Sequence, residues 1–323
     1  MELVKTSAHY PDVQPFNFKG KDVLRIDEFT GPQLEYLLQL AIRLKRMHKN
    51  GERYQPLQGK TLGMIFTKSS TRTRVSFEVG MYQLGGMALF LSDKDLQLGR
   101  GEPISDTAQV LSRYVDAVMI RTHAHDEVEE LAKYASIPII NGLTDQFHPC
   151  QALADMQTIW EHKGKLQGVK LAYVGDGNNV ANSLVLAAAL LGLDVRVATP
   201  AGYEMNPKIV SLARMYAEKS GGKVMVTTDP EAAVAGADAI YTDVWTSMGF
   251  EAENEKRLKD FAGYQVNAQL TRLAAPDYLF LHCLPAHRGE EVSADVMDGA
   301  HSVVFDQAEN RMHAQKAILA SVL

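Results

Sequence analysis

The chain has 323 residues, room for about two domains at roughly 150 residues each. Its 46% hydrophobic and 22% charged residues are ordinary for a water-soluble globular protein. The 33 basic and 39 acidic residues leave a net charge of −6, spread along the chain, which argues against a basic face built to grip nucleic acid.

Two cysteines, Cys150 and Cys283, are too few for a disulfide framework and fit a reducing compartment. The N-terminal run has no apolar h-region and contains Glu2 and Asp12, so neither a secretory signal nor a transit peptide is expected. The longest apolar stretch, around Leu184–Leu193, is far short of the ~20 residues a bilayer span requires. A cytoplasmic protein without a membrane partner is expected.

Thr30, with Pro32 in the first turn, predicts a helix over Gly31–Met47. Strands and helices then alternate. Thr61–Phe66 reads as a strand, Arg72–Leu84 as a helix, Met87–Phe90 as a strand and Asp106–Tyr114 as a helix. Ala117–Ile120 follows as a strand, Glu127–Tyr134 as a helix and Ile137–Ile140 as a strand. Turn residues and a proline collect at Asn141–His148, where a break between two halves is expected. Beyond it Cys150–His162 reads as one long bridging helix. The second series is strand Lys170–Val174, helix Val180–Leu191, strand Asp194–Ala198 and helix Pro207–Lys219. Strands Val224–Thr227, Ala239–Tyr241, Tyr278–Leu281 and Val303–Phe305 come next, and helix Ala308–Val322 closes the chain. Strands alternating with helices imply an α/β protein with parallel sheets covered by helices. Ten strands divide better into two sheets than one, and ligands are expected at the C-terminal ends of the strands.

Several strand ends carry chemistry. After Phe66 the run Lys68-Ser69-Ser70-Thr71-Arg72-Thr73-Arg74 opens a helix. Free amides at a helix start favour an anion, the hydroxyls add donors, and Arg72 offers a planar fork suited to phosphate. The plainer alternative is a Ser/Thr cap with a solvated face and an Arg74–Glu78 pair. The spacing is not that of a Walker loop. Arg121, His148 and Gln151 stand at two further strand ends, each alone explicable as a turn, cap or buried residue. Together they could converge on one planar carbonyl, with Arg121 and His148 donating to its oxygen and Gln151 accepting from an amide N–H₂. Val174-Gly175-Asp176-Gly177-Asn178-Asn179 invites a dinucleotide reading, but Val180 stands where the third glycine belongs. The next strand runs into Ala198-Thr199-Pro200 without the acid that would hold a ribose, so no nicotinamide cofactor is expected. Asn178 is read as a helix cap. Asp243, after Ala239–Tyr241, is placed to hold an ammonium group. Cys283 is open to three readings: a nucleophile, a metal ligand or a small buried apolar residue. His282-Cys283 alone does not give a zinc site.

These runs carry a resemblance. Ser70-Thr71-Arg72-Thr73-Arg74 resembles the carbamoyl phosphate signature of the transcarbamylase family, aspartate and ornithine carbamoyltransferases alike. His148-Pro149-Cys150-Gln151 resembles the family's second signature. Asp243-Val244-Trp245-Thr246-Ser247-Met248-Gly249 and His282-Cys283-Leu284-Pro285 resemble those of its ornithine-type branch. The likeness runs from about Phe16 to the C-terminus.

By that resemblance Ser70, Thr71, Arg72, Thr73, Gln97, Arg121, His148, Gln151, Cys283, Leu284 and Arg311 bind carbamoyl phosphate. Gln97 would reach the site of a neighbouring subunit. Asn179, Asp243, Ser247 and Met248 would bind ornithine, and Arg121, His148, Asp243 and Cys283 would carry the catalysis. The implied reaction moves the carbamoyl group to the δ-amine of L-ornithine, giving L-citrulline and phosphate, in arginine biosynthesis or arginine and ornithine breakdown. Thr246–Gly249 would act as a lid. No metal, organic cofactor or nucleic-acid partner is implied, and a homotrimer or multiple of trimers is. The implied division is residues 1–147, completed by 307–323, for carbamoyl phosphate, and 148–306 for ornithine. The alternatives are a transcarbamylase for putrescine or N-acetylornithine, against which Ser247-Met248-Gly249 speaks, and a non-catalytic carbamoyl phosphate binder.

Overall fold

Strands buried on both faces need nearly continuous apolar runs, and most of the strands here have them. The computed structural model describes residues 16–94, 96–98, 101–246 and 251–323. The first half contains helix α1 (Gly31–Lys49), β1 (Thr61–Phe66), α2 (Thr71–Gln83), β2 (Met87–Ser92), α3 (Ile104–Leu111), β3 (Ala117–Arg121), α4 (His125–Tyr134), β4 (Ile139–Leu143) and α5 (Pro149–Lys163). Its four strands form a parallel sheet in the order β2-β1-β3-β4. The second half contains β5 (Lys170–Val174), α6 (Asn179–Leu190), β6 (Asp194–Ala198), α7 (Pro207–Ser220), β7 (Lys223–Thr227), α8 (Pro230–Val234) and β8 (Ala239–Thr242). It continues with α9 (Asn254–Asp260), α10 (Ala268–Thr271), β9 (Leu279–His282), α11 (Ala294–Met297) and α12 (Val304–Val322). Its sheet is parallel in the order β7-β6-β5-β8-β9.

Two expected strands changed. Val303–Phe305 is not a strand: apart from a single bridge between Ser302 and Phe280, the chain turns into α12 at Val304. Val303, Val304, Gln307, Asn310 and Arg311 are buried while Phe305 is 72% exposed, so burial here follows a helical period rather than a strand's alternation. The strand expected at Ile137–Ile140 lies at Ile139–Leu143 instead. Pro138 has no N–H to give a ladder. The pairing extends through Asn141, whose backbone N–H donates to Val23 O at 2.8 Å and whose side chain donates to Leu24 O at 2.9 Å.

Helix α1 buries Leu34, Leu37, Leu38, Ala41 and Leu44, a stripe at helical spacing. That stripe meets α12, which also packs on α2 and α5. Helix α5 is buried from Pro149 through Ile159 and joins the two halves. The C-terminal helix therefore lies with the first half in space, although the second sheet separates them in sequence.

His313 sits wholly buried in this contact. Neither ring nitrogen makes a hydrogen bond, and Glu309 Oε1 stays 3.7 Å from Nε2. Burial, then the charges of Lys316, Lys45, His48 and Lys49, push its pKa down to about 3. An unfolded histidine titrates near ~6.5, so the unfolded chain takes up the proton first. Stability from the neutral ring is present above that value and is lost as the pH falls toward the folded pKa. Acidification to about pH 5 should cost the wild type about 2 kcal/mol that His313→Leu does not lose. Thermal melts of both at about pH 7.5 and pH 5 test this, and an equal acid loss in the two would refute it.

Candidate active site

In an open parallel sheet a crevice forms where neighbouring strands send their connections to opposite faces. The first sheet has that point between β1 and β3, the second between β5 and β8. The loops leaving β1, β3, β5 and β8 carry Ser70–Thr73, Arg121, Asn178–Asn179 and Asp243. One cleft is lined by these loops together with Leu143, His148, Gln151, Cys283, Leu284 and Arg311.

The β1 loop is capped as its hydroxyls suggest. Ser70 is extended at the N-cap of α2, and its Oγ accepts from Thr73 N at 3.1 Å. The amides of Thr71 and Arg72 occupy the first helical positions, where no helical acceptor exists. Thr71's side chain is exposed and does not line the cleft. Arg74 takes the plainer reading, bonded to Glu78 at 3.2 Å and stacked on the Phe90 ring. A register shift between Ile120 and Arg121 ends β3, a local irregularity of the kind that re-aims a side chain.

Three guanidiniums converge. Arg121 Nη1 and Arg311 Nη2 donate to Thr73 Oγ1 at 3.5 and 3.3 Å. Two donors on one hydroxyl oxygen leave the Thr73 O–H free to turn elsewhere. Arg72 Nη2 donates to Leu284 O at 2.6 Å. The Leu284 carbonyl thus already holds a guanidinium, whose remaining N–H groups can still serve an anion. Burial, then Arg311 and Arg72, lower the Arg121 pKa to about 10. His148 is pushed well below the usual histidine range by burial and then by the same three arginines, counting Arg121. It is therefore a neutral ring, and its buried Nδ1 makes no hydrogen bond. Such a concentration of positive charge around a neutral histidine suits a small anion.

Gln151 is more committed than its sequence reading implied. Its Oε1 accepts from Arg311 Nη1 at 2.5 Å and its Nε2 donates to Asp155 Oδ1 at 2.7 Å. One lone pair of Oε1 remains for a ligand amide. Gln97 is exposed on the loop after β2 and does not line the cleft of its own chain.

The opposite wall is acidic. Asp243 is 6% exposed. Its Oδ1 accepts from Cys283 Sγ at 3.0 Å and Val244 N at 2.8 Å, and its Oδ2 accepts from Asn178 Nδ2 at 2.8 Å. Asn178 does cap α6, accepting from Val180 and Ala181 N. Its second role, orienting Asp243 from the adjacent strand end, was missed by sequence reasoning, because a cap explains the residue fully. Asn179 lines the cleft and donates to Thr144 O at 2.5 Å. Ser247 and Met248 lie outside the described residues.

The Cys283 pKa is raised well above the thiol range by burial first and then by the Asp243 charge and hydrogen bond. The residue is a neutral S–H donor, which removes the nucleophile reading. Asp243, His282 and Cys283 offer ligand atoms within 4.8 Å of one another. Both His282 nitrogens are nevertheless occupied: Nδ1 accepts from Leu284 N at 2.9 Å and Nε2 lies 3.1 Å from Glu291 Oε1. Leu284 itself has φ +59°, the sole non-glycine residue with positive φ among those described. Gly177 also has a local reason. A Cβ there would lie 2.4 Å from Met205 N, so the glycine lets two loops pass rather than admitting a dinucleotide.

Residues 21–161 match the family described as aspartate/ornithine carbamoyltransferase, carbamoyl-P binding domain, and residues 167–322 match its Asp/Orn binding domain. The ornithine carbamoyltransferase of Anoxybacillus flavithermus is 62% identical over 305 residues, covering 94% of this chain and 97% of that one. The ornithine carbamoyltransferase of Thermococcus kodakarensis is 60% identical, with 94% and 96% covered. The solved ornithine carbamoyltransferase of Pyrococcus furiosus superposes with a TM-score of 0.93 at 58% identity, covering 95% and 98%. With these likenesses added to a cationic pocket facing a buried acid, the chain belongs to the aspartate/ornithine carbamoyltransferase family.

Proposed function

We propose that this protein transfers the carbamoyl group of carbamoyl phosphate to the δ-amine of L-ornithine, giving L-citrulline and phosphate. The observation that carries this reading is the juxtaposition in one cleft of the three-arginine pocket and the Asp243–Cys283–Asn178 cluster.

The phosphate occupies the start of α2, held by the Ser70–Thr73 segment, Arg72 and Arg311. Arg121, His148 and the Thr73 hydroxyl donate to the carbamoyl oxygen, where negative charge grows as the amine attacks. Gln151 accepts from the carbamoyl N–H₂. The new C–N bond forms as the C–O bond to phosphate breaks. In the net reaction the proton lost by the amine leaves with the phosphate. Asp243 holds the amine end of ornithine beside Cys283, with Asn179, Ser247 and Met248 completing that side. A buried carboxylate at this point favours a diamine and repels the second carboxylate of aspartate. Positioning and charge account for the rate enhancement.

Sites shared between subunits require an interface, and one face is fitted for it. Val75, Val79 and Tyr82 on α2 and Met87, Leu89 and Phe90 on β2 are all exposed. Val75, Val79 and Tyr82 share one face of α2 at helical spacing, and β2 leads into the loop that carries Gln97. We assign this face to the contact in a trimer. Val79→Glu should then run as a monomer in size-exclusion chromatography with light scattering, while the wild type runs as a trimer or a multiple of one. A monomeric wild type would remove the assignment. No helix among the described residues is long and apolar enough to cross a membrane, and cytoplasmic residence is the reading we adopt. The division into residues 1–147 with 307–323, and 148–306, is kept as part of this proposal.

The test is product formation with carbamoyl phosphate and, in turn, ornithine, putrescine, N-acetylornithine and aspartate. Turnover with ornithine above all others is expected. Preference for another amine would overturn the roles of Asp243 and Ser247. Carbamoyl phosphate binding without turnover on any amine would leave only a binding protein.

A further inference from the structure

Asp155 lies one turn beyond Gln151 on α5 and is completely buried. It does not line the cleft and reaches it only through other side chains. A buried carboxylate is expensive to maintain, and an apolar residue of similar size is often neutral or stabilising in such a place. Burial lifts this carboxyl to about 7, against the pull of the Gln151 and Gln307 amides and Arg311. Its retention calls for a task that an apolar side chain cannot perform.

The task is visible in its partners. A single oxygen, Oδ1, receives two N–H groups at 2.7 Å, one from Gln151 Nε2 and one from Gln307 Nε2. Each of those amides then presents its carbonyl in the opposite direction. Gln151 Oε1 receives Arg311 Nη1 at 2.5 Å, and Arg311 Nη2 reaches Thr73 in the anion pocket at 3.3 Å. Gln307 Oε1 receives the His282 backbone N–H at 2.9 Å, one residue before Cys283 and two before Leu284.

A glutamine amide is nearly symmetric in shape, so packing alone does not decide which end is oxygen. Here both far partners, Arg311 and the His282 amide, are donors only. A reversed amide would set N–H against N–H on either arm. An acceptor between the two glutamines excludes the reversed state on both arms at once.

We propose that Asp155 is a positioning residue that fixes the polarity of Gln151 and Gln307. It thereby holds Arg311 on the phosphate side of the cleft and the Cys283–Leu284 segment on the amine side. The proposal rests on the carbamoyl transfer reading for the names of the two sides, but not for the network itself. Helix α12 supplies both Gln307 and Arg311, so one carboxylate oxygen ties α5 to both arms.

The experiment uses the full chain and four proteins: wild type, Asp155→Leu, Asp155→Asn and Gln307→Met. Asparagine keeps one carbonyl oxygen able to accept both amides, and leucine keeps none. Carbamoyl phosphate affinity is measured by calorimetry and steady-state kinetics are measured with ornithine varied. Folding is followed by circular dichroism and thermal melting.

Asp155→Leu should weaken carbamoyl phosphate binding by at least about tenfold and also lower kcat. Asp155→Asn should stay within about threefold of wild type in both, since one neutral acceptor can do the same work. Gln307→Met should cut one arm only, changing kcat or the ornithine KM by about tenfold while carbamoyl phosphate affinity holds within about twofold. A merely structural residue would lower the melting temperature without this split. The proposal is overturned if folded Asp155→Leu matches wild type or if Asp155→Asn falls as far as Asp155→Leu. It is also overturned if Gln307→Met leaves the ornithine parameters unchanged, and that arm decides the matter should Asp155→Leu fail to fold. A wild type that binds carbamoyl phosphate but turns over no ornithine would sink the functional reading instead. The binding arms would still test the network.

Discussion

Asp243→Asn should lower kcat/KM for ornithine by about 10²- to 10³-fold, the usual consequence of truncating one partner of a buried charge pair. The Asp243 carboxylate is oriented by three donors, Cys283 Sγ, Val244 N and Asn178 Nδ2. An amide in its place must turn an N–H₂ toward one of those donors. The cationic or partly charged amine end of ornithine then meets a neutral group in a wall that excludes water. On the proposed reading carbamoyl phosphate meets this cluster only through Cys283, so its calorimetric affinity should stay within about threefold. Kinetics with ornithine varied and calorimetry with carbamoyl phosphate separate the two effects. Unchanged ornithine parameters in a folded Asp243→Asn protein would mean that the amine sits elsewhere.

Arg121→Met should reduce kcat by about 10²- to 10³-fold, the range seen when one donor to a developing oxyanion is removed. Methionine keeps the length and the packing of the stem but not the charge. Arg121 shares the Thr73 hydroxyl with Arg311 and stands close enough to His148 to hold that ring's pKa down. Losing one of three guanidiniums also weakens the field that draws in a phosphate, so the KM for carbamoyl phosphate should rise in parallel. Single-turnover kinetics at saturating carbamoyl phosphate isolate the chemical step. A loss of less than about fivefold there would assign Arg121 to binding alone.

Much of this arrangement could be read from the chain because parallel sheets leave strong marks. Lys170–Val174 is a short apolar run and Asp194–Ala198 alternates polar with apolar residues, and both are strands with those limits. The chemistry sits just past such runs, where polar residues have little structural reason to cluster. What the sequence concealed has two physical causes. Val303–Phe305 has the residue types of a strand, and only the burial of Gln307 and Asn310 beyond it reveals a helix start. Asp155 and Gln307 were not singled out, because a polar residue inside a helical period looks the same whether it faces water or a buried network. Asn178 was found for one of its two bonds. Its carbonyl caps α6, while its amide serves Asp243 through the pairing of β5 with β8, a neighbourhood that sequence order hides. Short helices such as α9 and α10 were also left unread, since four to seven residues leave no period to detect.

The return of α12 to the first half has a consequence for how the protein is made. A ribosome delivers β1 to β4 and α1 well before the helix that covers them, because the whole second sheet is synthesised in between. Domains generally fold as units from the N-terminus during synthesis, but here the first unit waits for its final piece. Through that interval the end of the α1 stripe that packs on Ala317, Ala41 with Leu44, has no permanent cover. Closure over so long a span is slow. The nascent first half is thus a client for chaperones by topology rather than by composition. A lesion that only delays folding of the second sheet would be felt first as aggregation of the half already made.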